Sequence, residues 1–219
     1  MSYILNIETA TKNCSVSLAK DGVTILCKEI AEQGYSHAEK LHVFIAEIIK
    51  EAGVLMSDLK AIAVSQGPGS YTGLRIGVSA AKGLCYALEI PLIAIDTLTS
   101  LANQVKQIDG LIVPMIDARR MEVYSAIFNS NKEMIREVQA EILTEERFVN
   151  QAEIIYFIGD SNEKAKEVLT KTNFIFLDEI VFPSANEMSA ISFLKFQNND
   201  FVDVAYFEPY YLKDFMFAK

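Results

Sequence analysis

The sequence predicts an α/β fold in which one unit of mixed β-sheet and covering helices occurs twice. Strand-like and helix-like segments follow one another in the order β-β-β-α-β-α-β-α, and this order returns after a polar break at residues 107–110. A glycine-rich stretch at residues 65–77 joins a buried strand to a helix in the first unit only. With 219 residues, of which 51% are hydrophobic, the chain can form two such units with substantial cores.

The first unit begins with a β-hairpin. Residues 3–7 are apolar, residues 14–19 alternate between the two faces of a strand, and residues 23–30 form the next strand pattern. Asp21-Gly22 lies between the second and third strands, and this dipeptide supplies the positive φ angles that a tight hairpin turn requires.

Three helices and two more strands complete the first unit. Ser36 with Glu39 predicts a capped helix that ends at Gly53 and carries the apolar stripe Leu41, Phe44, Ile45, Ile48 and Ile49. The remaining segments are a strand at 59–64, a helix at 73–88, a strand at 90–95 and a helix at 97–105 that starts at Thr97 or Thr99.

The second unit repeats the order without a glycine-rich loop. Its predicted strands cover residues 111–116, 122–128, 134–141, 154–158 and 174–177, and its helices cover 144–149, 162–170 and 184–196. A duplicated mixed sheet covered by helices is typical of the actin-like and sugar-kinase-like proteins, the ASKHA fold. We therefore expect two lobes, residues 1–106 and 107–219, with the C-terminal segment able to pack back on the first lobe.

The glycine-rich loop is the first candidate functional site. Gly67, Gly69 and Gly73 permit close approach of the backbone, and Ser70 or Thr72 can cap the following helix. Such a junction can present backbone N–H groups to a phosphate, and the turn at Thr9 opens toward the same edge. A tight turn that packs a helix on a sheet explains the same residues, and the spacing matches neither a Walker A loop nor a dinucleotide fingerprint.

Composition limits the partners and the location of the chain. The net charge is −9, from 20 Lys and Arg against 29 Asp and Glu, which argues against tight binding of nucleic acid by this chain alone. Cys14, Cys27 and Cys85 lie in apolar segments without metal-ligand spacing, which suits a reducing cytoplasm. We see neither a signal peptide nor an apolar run long enough to cross a membrane.

The two histidines do not predict a metal site. His37 and His42 are five positions apart on one helix, so they do not share a face as ligands at i and i+4 would. We expect His37 near the helix cap and His42 at the surface.

Several motifs together resemble one family. The sequence resembles the TsaB (YeaZ) family, bacterial proteins in the biosynthesis of the threonylcarbamoyl modification on adenosine 37 of tRNA. The resemblance covers most of the chain, and Lys213 stands where members commonly carry Arg. It is carried by Ile7-Glu8-Thr9, GPGSYTGLRIG at 67–77, Ala81-Lys82-Gly83-Leu84, DARRMEVY at 117–124 and PYYLK at 209–213.

The resemblance implies a non-catalytic subunit. Members look like paralogues of TsaD, the transferase, which carries a metal-binding His-x-x-x-His pair after the strand that follows the glycine-loop helix. Thr97 and Leu101 stand at the matching positions here, and a leucine cannot ligate a metal. The implied role is a scaffold that forms a heterodimer with TsaD and supports binding of the ATPase TsaE. No cofactor is assigned, although an adenine nucleotide at the complex interface is compatible with the resemblance.

The helix after the glycine loop also predicts the interface. Its apolar positions recur nearly as a heptad seam, and two such helices from each partner would form a four-helix contact. The alternative is that the seam packs on its own sheet. Whether the chain forms a homodimer without its partner stays open. The interface candidates are Leu74, Val78, Ala81, Cys85 and Leu88, with His37 and Leu41 from the preceding helix.

Two enzymatic alternatives remain at this point. An actin-like ATPase or kinase would use the Gly67–Gly73 loop, but the second unit offers only Gly159-Asp160 as a counterpart. A metallopeptidase is suggested by the glycoprotease-like grouping of related sequences, but the HExxH zinc motif is absent from the sequence.

Overall fold

The first lobe contains a five-stranded mixed sheet. The computed structural model describes residues 1–31, 37–106, 108–148 and 153–213. The sheet has the order β3-β2-β1-β4-β5, with β4 parallel to both β1 and β5, and β2 antiparallel to both β1 and β3. Its strands are β1 Tyr3–Glu8, β2 Asn13–Lys20, β3 Val23–Ala31, β4 Leu59–Gly67 and β5 Leu92–Asp96. Its helices are α1 His37–Ala52, α2 Tyr71–Leu88 and α3 Thr97–Ala102, and a short 3-10 turn covers Met56–Asp58.

The second lobe repeats this sheet. Its order is β8-β7-β6-β9-β10, which matches the first sheet position by position and confirms the predicted duplication. Its strands are β6 Leu111–Asp117, β7 Glu122–Phe128, β8 Met134–Ile142, β9 Ile155–Ile158 and β10 Phe174–Phe176. The remaining helices are α4 Asn162–Lys166, a 3-10 turn at Ala185–Glu187 and α5 Met188–Gln197.

The first sheet has an apolar layer on each face because its central strands are buried on both sides. Leu5 and Ile7 of β1 face the layer formed with α1 and α2, whereas Ile4 faces the layer formed with α5. This is the two-residue period of a strand. Complete burial of a Leu or Ile side chain contributes roughly 1.5–3 kcal/mol, so the sandwich of helices around this sheet is the main stabilising core of the lobe.

The predicted hairpin at the N-terminus is confirmed. Asp21 and Gly22 have φ angles of 48° and 85°, and the Ser2 N–H donates to Asp21 Oδ1 over 2.8 Å. Within the described residues, no helix has the length and apolar character needed to cross a bilayer.

Several predicted boundaries are wrong. Residues 145–148 form a turn rather than the predicted helix at 144–149, and α4 is shorter than predicted. Helix α3 begins at Thr97 as predicted but ends at Ala102 rather than Val105, and Asp96 caps it, because its carboxylate accepts from the Thr99 N–H over 2.9 Å. Ser36, Gln107 and Val149 lie outside the described residues.

The chain returns to the first lobe after β10. Helix α5 packs against β1 and β5, where Met188 joins Ile4, Ala61 and Ile93 in one apolar cluster. The Tyr210 N–H then donates to Gln66 O over 2.7 Å, which brings the C-terminal segment to the glycine loop.

Candidate functional site

The glycine loop forms the predicted strand–loop–helix junction. β4 ends at Gly67 and α2 begins at Tyr71. Ser70 caps the helix as predicted, since its hydroxyl oxygen accepts from the Gly73 N–H over 3.3 Å. The loop therefore places the N-terminus of α2 at the carboxyl edge of the first sheet, beside the end of β1.

The chain itself occupies the inner side of this loop. The Ser70 N–H donates to Ala10 O over 2.6 Å, and Thr9 Oγ1 donates to Gly73 O over 2.7 Å. A Cβ atom on Gly69 or Gly73 would overlap the carbonyl oxygen of Ala10 or Thr9 respectively. Gly67 has a φ angle of 110°, and a Cβ there would lie 2.8 Å from Tyr210 O. Close packing of the loop on the Thr9–Ala10 turn and the C-terminal segment therefore explains these glycines without a phosphate.

Buried carboxyl groups lie at the same edge of the sheet. Glu8 is fully buried at the end of β1, and its Oε1 accepts from the Ala10 N–H over 2.6 Å. Burial raises the pKa of Glu8 to about 7 and that of Asp96, at the end of β5, to about 6. Asp160, which follows β9 in the second lobe, also has a pKa raised to about 6 by burial. Sequence analysis did not identify the three as a group, although each stands near the end of a predicted strand.

The positions that correspond to the transferase metal ligands are part of the core. Thr97 and Leu101 are both fully buried, and the hydroxyl groups of Thr97 and Ser65 are 2.7 Å apart. Among the described residues, no group of three His, Cys, Asp or Glu side chains is placed to hold a metal ion. His42 is exposed and His37 is the first residue of α1, both as predicted. His37 is also buried, and this burial lowers its pKa.

The structure places most of the predicted interface residues inside the first lobe. Leu74, Val78, Ala81 and Cys85 are each less than 5% exposed, and His37 and Leu41 are also buried. Leu88 is half-buried against the same core. The seam thus packs on its own sheet, as the alternative held, and a partner could contact these side chains only if the helices left the sheet. Ala81 is fully buried, so a charged side chain at this interface candidate would disrupt the lobe itself.

The other face of α1 and α2 forms an open groove of about 760 Å³. We call it the α1–α2 groove. Arg75 lies over the Tyr71 ring at 4.1 Å, and its Nε donates to Tyr211 of the C-terminal segment over 3.2 Å. The lining is mostly apolar or small and comprises Ala38, His42, Tyr71, Thr72, Arg75, Ile76, Ser79, Ala80, Gly83 and Leu84.

Gly83 is an exposed residue of the groove lining. Apart from its chain neighbours and the nearby backbone of its own helix, no atom of the described residues lies within 4 Å of a Cβ built on Gly83, so packing within this chain does not require glycine. A glycine inside a helix costs roughly 0.5–1 kcal/mol relative to alanine. From the sequence, the interface was assigned to the apolar seam of α2, which the structure shows to be buried. The outer face of α2 is distinguished by Gly83, a helical glycine that packing within the isolated chain does not require.

Comparison with known proteins gives the same family on several counts. The model of the family described as TsaD, tRNA N6-adenosine threonylcarbamoyltransferase, matches residues 24–212. The chain is 30% identical to the tRNA threonylcarbamoyladenosine biosynthesis protein TsaB of Escherichia coli strain K12, over 96% of this chain and 94% of that protein. It superposes on YeaZ from Pseudomonas aeruginosa with a TM-score of 0.83 and 28% identity, covering 97% of this chain and 100% of the other.

A more distant structural neighbour shows the fold alone. The ethanolamine utilization protein EutJ from Carboxydothermus hydrogenoformans superposes with a TM-score of 0.56 at 10% identity, covering 87% of this chain and 90% of the other. The duplicated mixed sheet and these neighbours confirm the predicted actin-like fold.

Proposed function

The chain belongs to the TsaB (YeaZ) branch of the family that includes the TsaD transferases, and we propose that it is the non-catalytic subunit that docks on TsaD in the cytoplasm. Its role lies in the biosynthesis of threonylcarbamoyladenosine in tRNA, the process named for its relative in Escherichia coli. The transfer of the threonylcarbamoyl group to adenosine 37 is the work of TsaD in this proposal. The assembled pair then provides the binding surface for the ATPase TsaE.

The observation that carries the proposal is the exposed Gly83 in a groove lined mostly by apolar or small residues. Glycine at this position lowers the stability of α2, and packing within the chain does not require it. It does allow the backbone of a partner helix to approach α2 closely, as small residues do at helix–helix contacts. The α1–α2 groove is therefore the surface on which we place the paralogue, and in its absence the groove is open to a second copy of this chain.

A non-catalytic role is supported by Thr97 and Leu101, which stand where the transferase carries its metal-binding histidines. The hydroxyl of Thr97 contacts Ser65, and Leu101 is fully buried, so neither side chain faces a ligand. The glycine loop is packed against the Thr9–Ala10 turn rather than open to a nucleotide phosphate. In the proposed complex the partner supplies the groups that react, and this chain supplies a docking surface that stabilises the complex.

The substitution Gly83→Glu tests the docking surface. It places a charged side chain at the groove, and its Cβ meets no atom of the described residues beyond the neighbouring part of α2. We expect the purified variant to melt at or slightly above the wild-type temperature, since glutamate favours a helix more than glycine does. We expect it to lose co-elution with TsaD of the same organism in size-exclusion chromatography, with affinity reduced at least about 100-fold, because an unpaired charge is costly in a desolvated interface. The control Ser57→Glu adds the same charge at an exposed position before β4 and should leave the complex intact. Equal co-elution of the wild-type chain and Gly83→Glu would refute this placement of the interface.

A further inference from the structure

The turn between β6 and β7 holds two arginines in an unusual backbone conformation. Arg119 and Arg120 have φ angles of 72° and 50°, a region that side chains other than glycine and asparagine rarely adopt. The turn is closed by the Glu122 N–H, which donates to Arg119 O over 3.1 Å, and by the Ala118 N–H, which donates to Glu122 O over 3.0 Å. Strained positions of this kind concentrate at functional sites, where surrounding contacts hold them in place.

Lys164 of α4 provides those contacts. Its Nζ donates to Arg120 O over 2.8 Å and to Glu122 O over 2.6 Å, and it forms an ion pair with Asp117. The Asp117 N–H in turn donates to Asp160 Oδ1 over 2.8 Å. The lysine side chain is only 19% exposed, so this anchor is partly shielded from solvent. The backbone of the turn is thereby fixed through its carbonyl groups, and the arginine side chains take no part in holding it.

Both guanidinium groups are available for an external ligand. Arg119 and Arg120 are exposed, and among the described residues neither makes a hydrogen bond or an ion pair. Lys213 lies beside the turn, where it pairs with Glu122 and donates to Ala118 O over 3.4 Å. Lys12, from the turn that follows β1, lies close enough to Asp160 to lower its pKa.

The local charge is therefore opposite to that of the whole chain. Lys164 pairs with Asp117, Lys213 pairs with Glu122, and Lys12 lies near Asp160, so the two arginines of the turn add their positive charge to carboxyl groups that already have cationic partners. The chain as a whole has a net charge of −9. A cationic site attracts anions locally, whereas the net negative charge of the whole chain opposes tight binding of a polyanion, so we expect the isolated chain to bind such a ligand weakly.

We propose that the Arg119–Arg120 turn binds the phosphodiester backbone of the tRNA on which the assembled complex acts. The inference rests on the proposed function, since the partner supplies the rest of the RNA-binding surface. Guanidinium groups bind phosphate oxygens through paired N–H donors, and a fixed turn presents both arginines without a large loss of backbone entropy. Their position at the exposed tip of a hairpin suits an extended backbone that passes over the surface. Contacts of this type position RNA and carry no base specificity.

The test measures salt dependence in the reconstituted complex. A tRNA transcript is titrated by fluorescence anisotropy with the complex of this chain and TsaD, at several KCl concentrations. For the double variant Arg119→Ala/Arg120→Ala, we expect the slope of log K against log [KCl] to become shallower by about 1–2 and the affinity at low salt to fall by about 10-fold or more. The charge-conserving variant Arg119→Lys/Arg120→Lys should keep most of the slope, and Lys50→Ala/Lys60→Ala, which removes two exposed cations of the first lobe, should keep it entirely.

The outcomes separate this inference from the proposed function. If the alanine variant forms the complex and binds tRNA with the wild-type slope and affinity, the inference is wrong and the docking proposal stands. The inference is also wrong if the lysine variant loses as much affinity as the alanine variant while both keep the wild-type slope, since the arginines would then act through the fold. If the wild-type chain does not bind TsaD at all, the proposed function fails and the inference fails with it.

Discussion

At the scale of single residues, Glu8 is the group most altered by the fold. It is fully buried, and burial raises its pKa from 4.5 to about 7. The folded chain therefore holds the proton of Glu8 more tightly than the unfolded chain does. Below pH 4.5, Glu8 is protonated in both states and its contribution to the free energy of unfolding is complete. Between pH 4.5 and about 7 the unfolded chain loses the proton, so folding must either bind a proton or bury a charge, and this contribution is lost.

The substitution Glu8→Gln tests this assignment because it keeps the shape and removes the titration. Between pH 5.5 and 8, we expect the free energy of unfolding of the wild type to fall by about 2 kcal/mol more than that of the variant. Urea unfolding of both proteins across this range measures the difference, and it avoids the acidic pI near 4.8. Asp160 titrates in both proteins and cancels in the comparison, whereas the charge of Asp96 raises the pKa of Glu8, so the measured difference includes the coupling between these two carboxyl groups. Parallel pH profiles would show that Glu8 is already ionised in the folded chain.

At the scale of elements, helix α2 packs on the first sheet with one face and lines the α1–α2 groove with the other. Its apolar positions, predicted from the sequence, do form one stripe, but Leu74, Val78, Ala81 and Cys85 cover the first sheet. Periodicity locates an apolar stripe and does not identify what covers it. In an α/β fold the most apolar stripe of a helix packs on the sheet. The face left for a partner is therefore less apolar and has smaller side chains. That face could be recognised only once the burial of each residue was known.

Two alanine substitutions on α2 distinguish its faces. In Gly73→Ala the new Cβ would overlap Thr9 O, and the backbone there has little room to move, so we expect a loss of about 2 kcal/mol in the free energy of unfolding. In Gly83→Ala the new Cβ meets no atom of the described residues, and we expect a gain of about 0.5–1 kcal/mol from improved helix propensity. Urea denaturation of the two variants gives both values. Effects of the same sign at both sites would contradict the packing described here.

At the scale of the whole molecule, the repeated order of elements predicted the duplicated fold. The strand order β3-β2-β1-β4-β5 recurs as β8-β7-β6-β9-β10, as a repeat of the same unit requires. The sheet against which α5 packs could not be predicted from the sequence. The sequence predicts a helix at 184–196 but does not say that Met188 and Phe193 cover the first sheet rather than the second, because that choice depends on contacts far apart in sequence. The anchor of Lys164 beneath the Arg119–Arg120 turn was likewise missed, since it joins residues more than 40 positions apart.

We propose that TsaD docks on the α1–α2 groove. Hydrogen–deuterium exchange of the chain, alone and with saturating TsaD, tests it most directly. We expect slower exchange at residues 38–42 and 71–84, which contain the residues that line the groove, and unchanged exchange in the edge strand β8. Slower exchange confined to β8 or to the second lobe, with no change at 71–84, would contradict the claim.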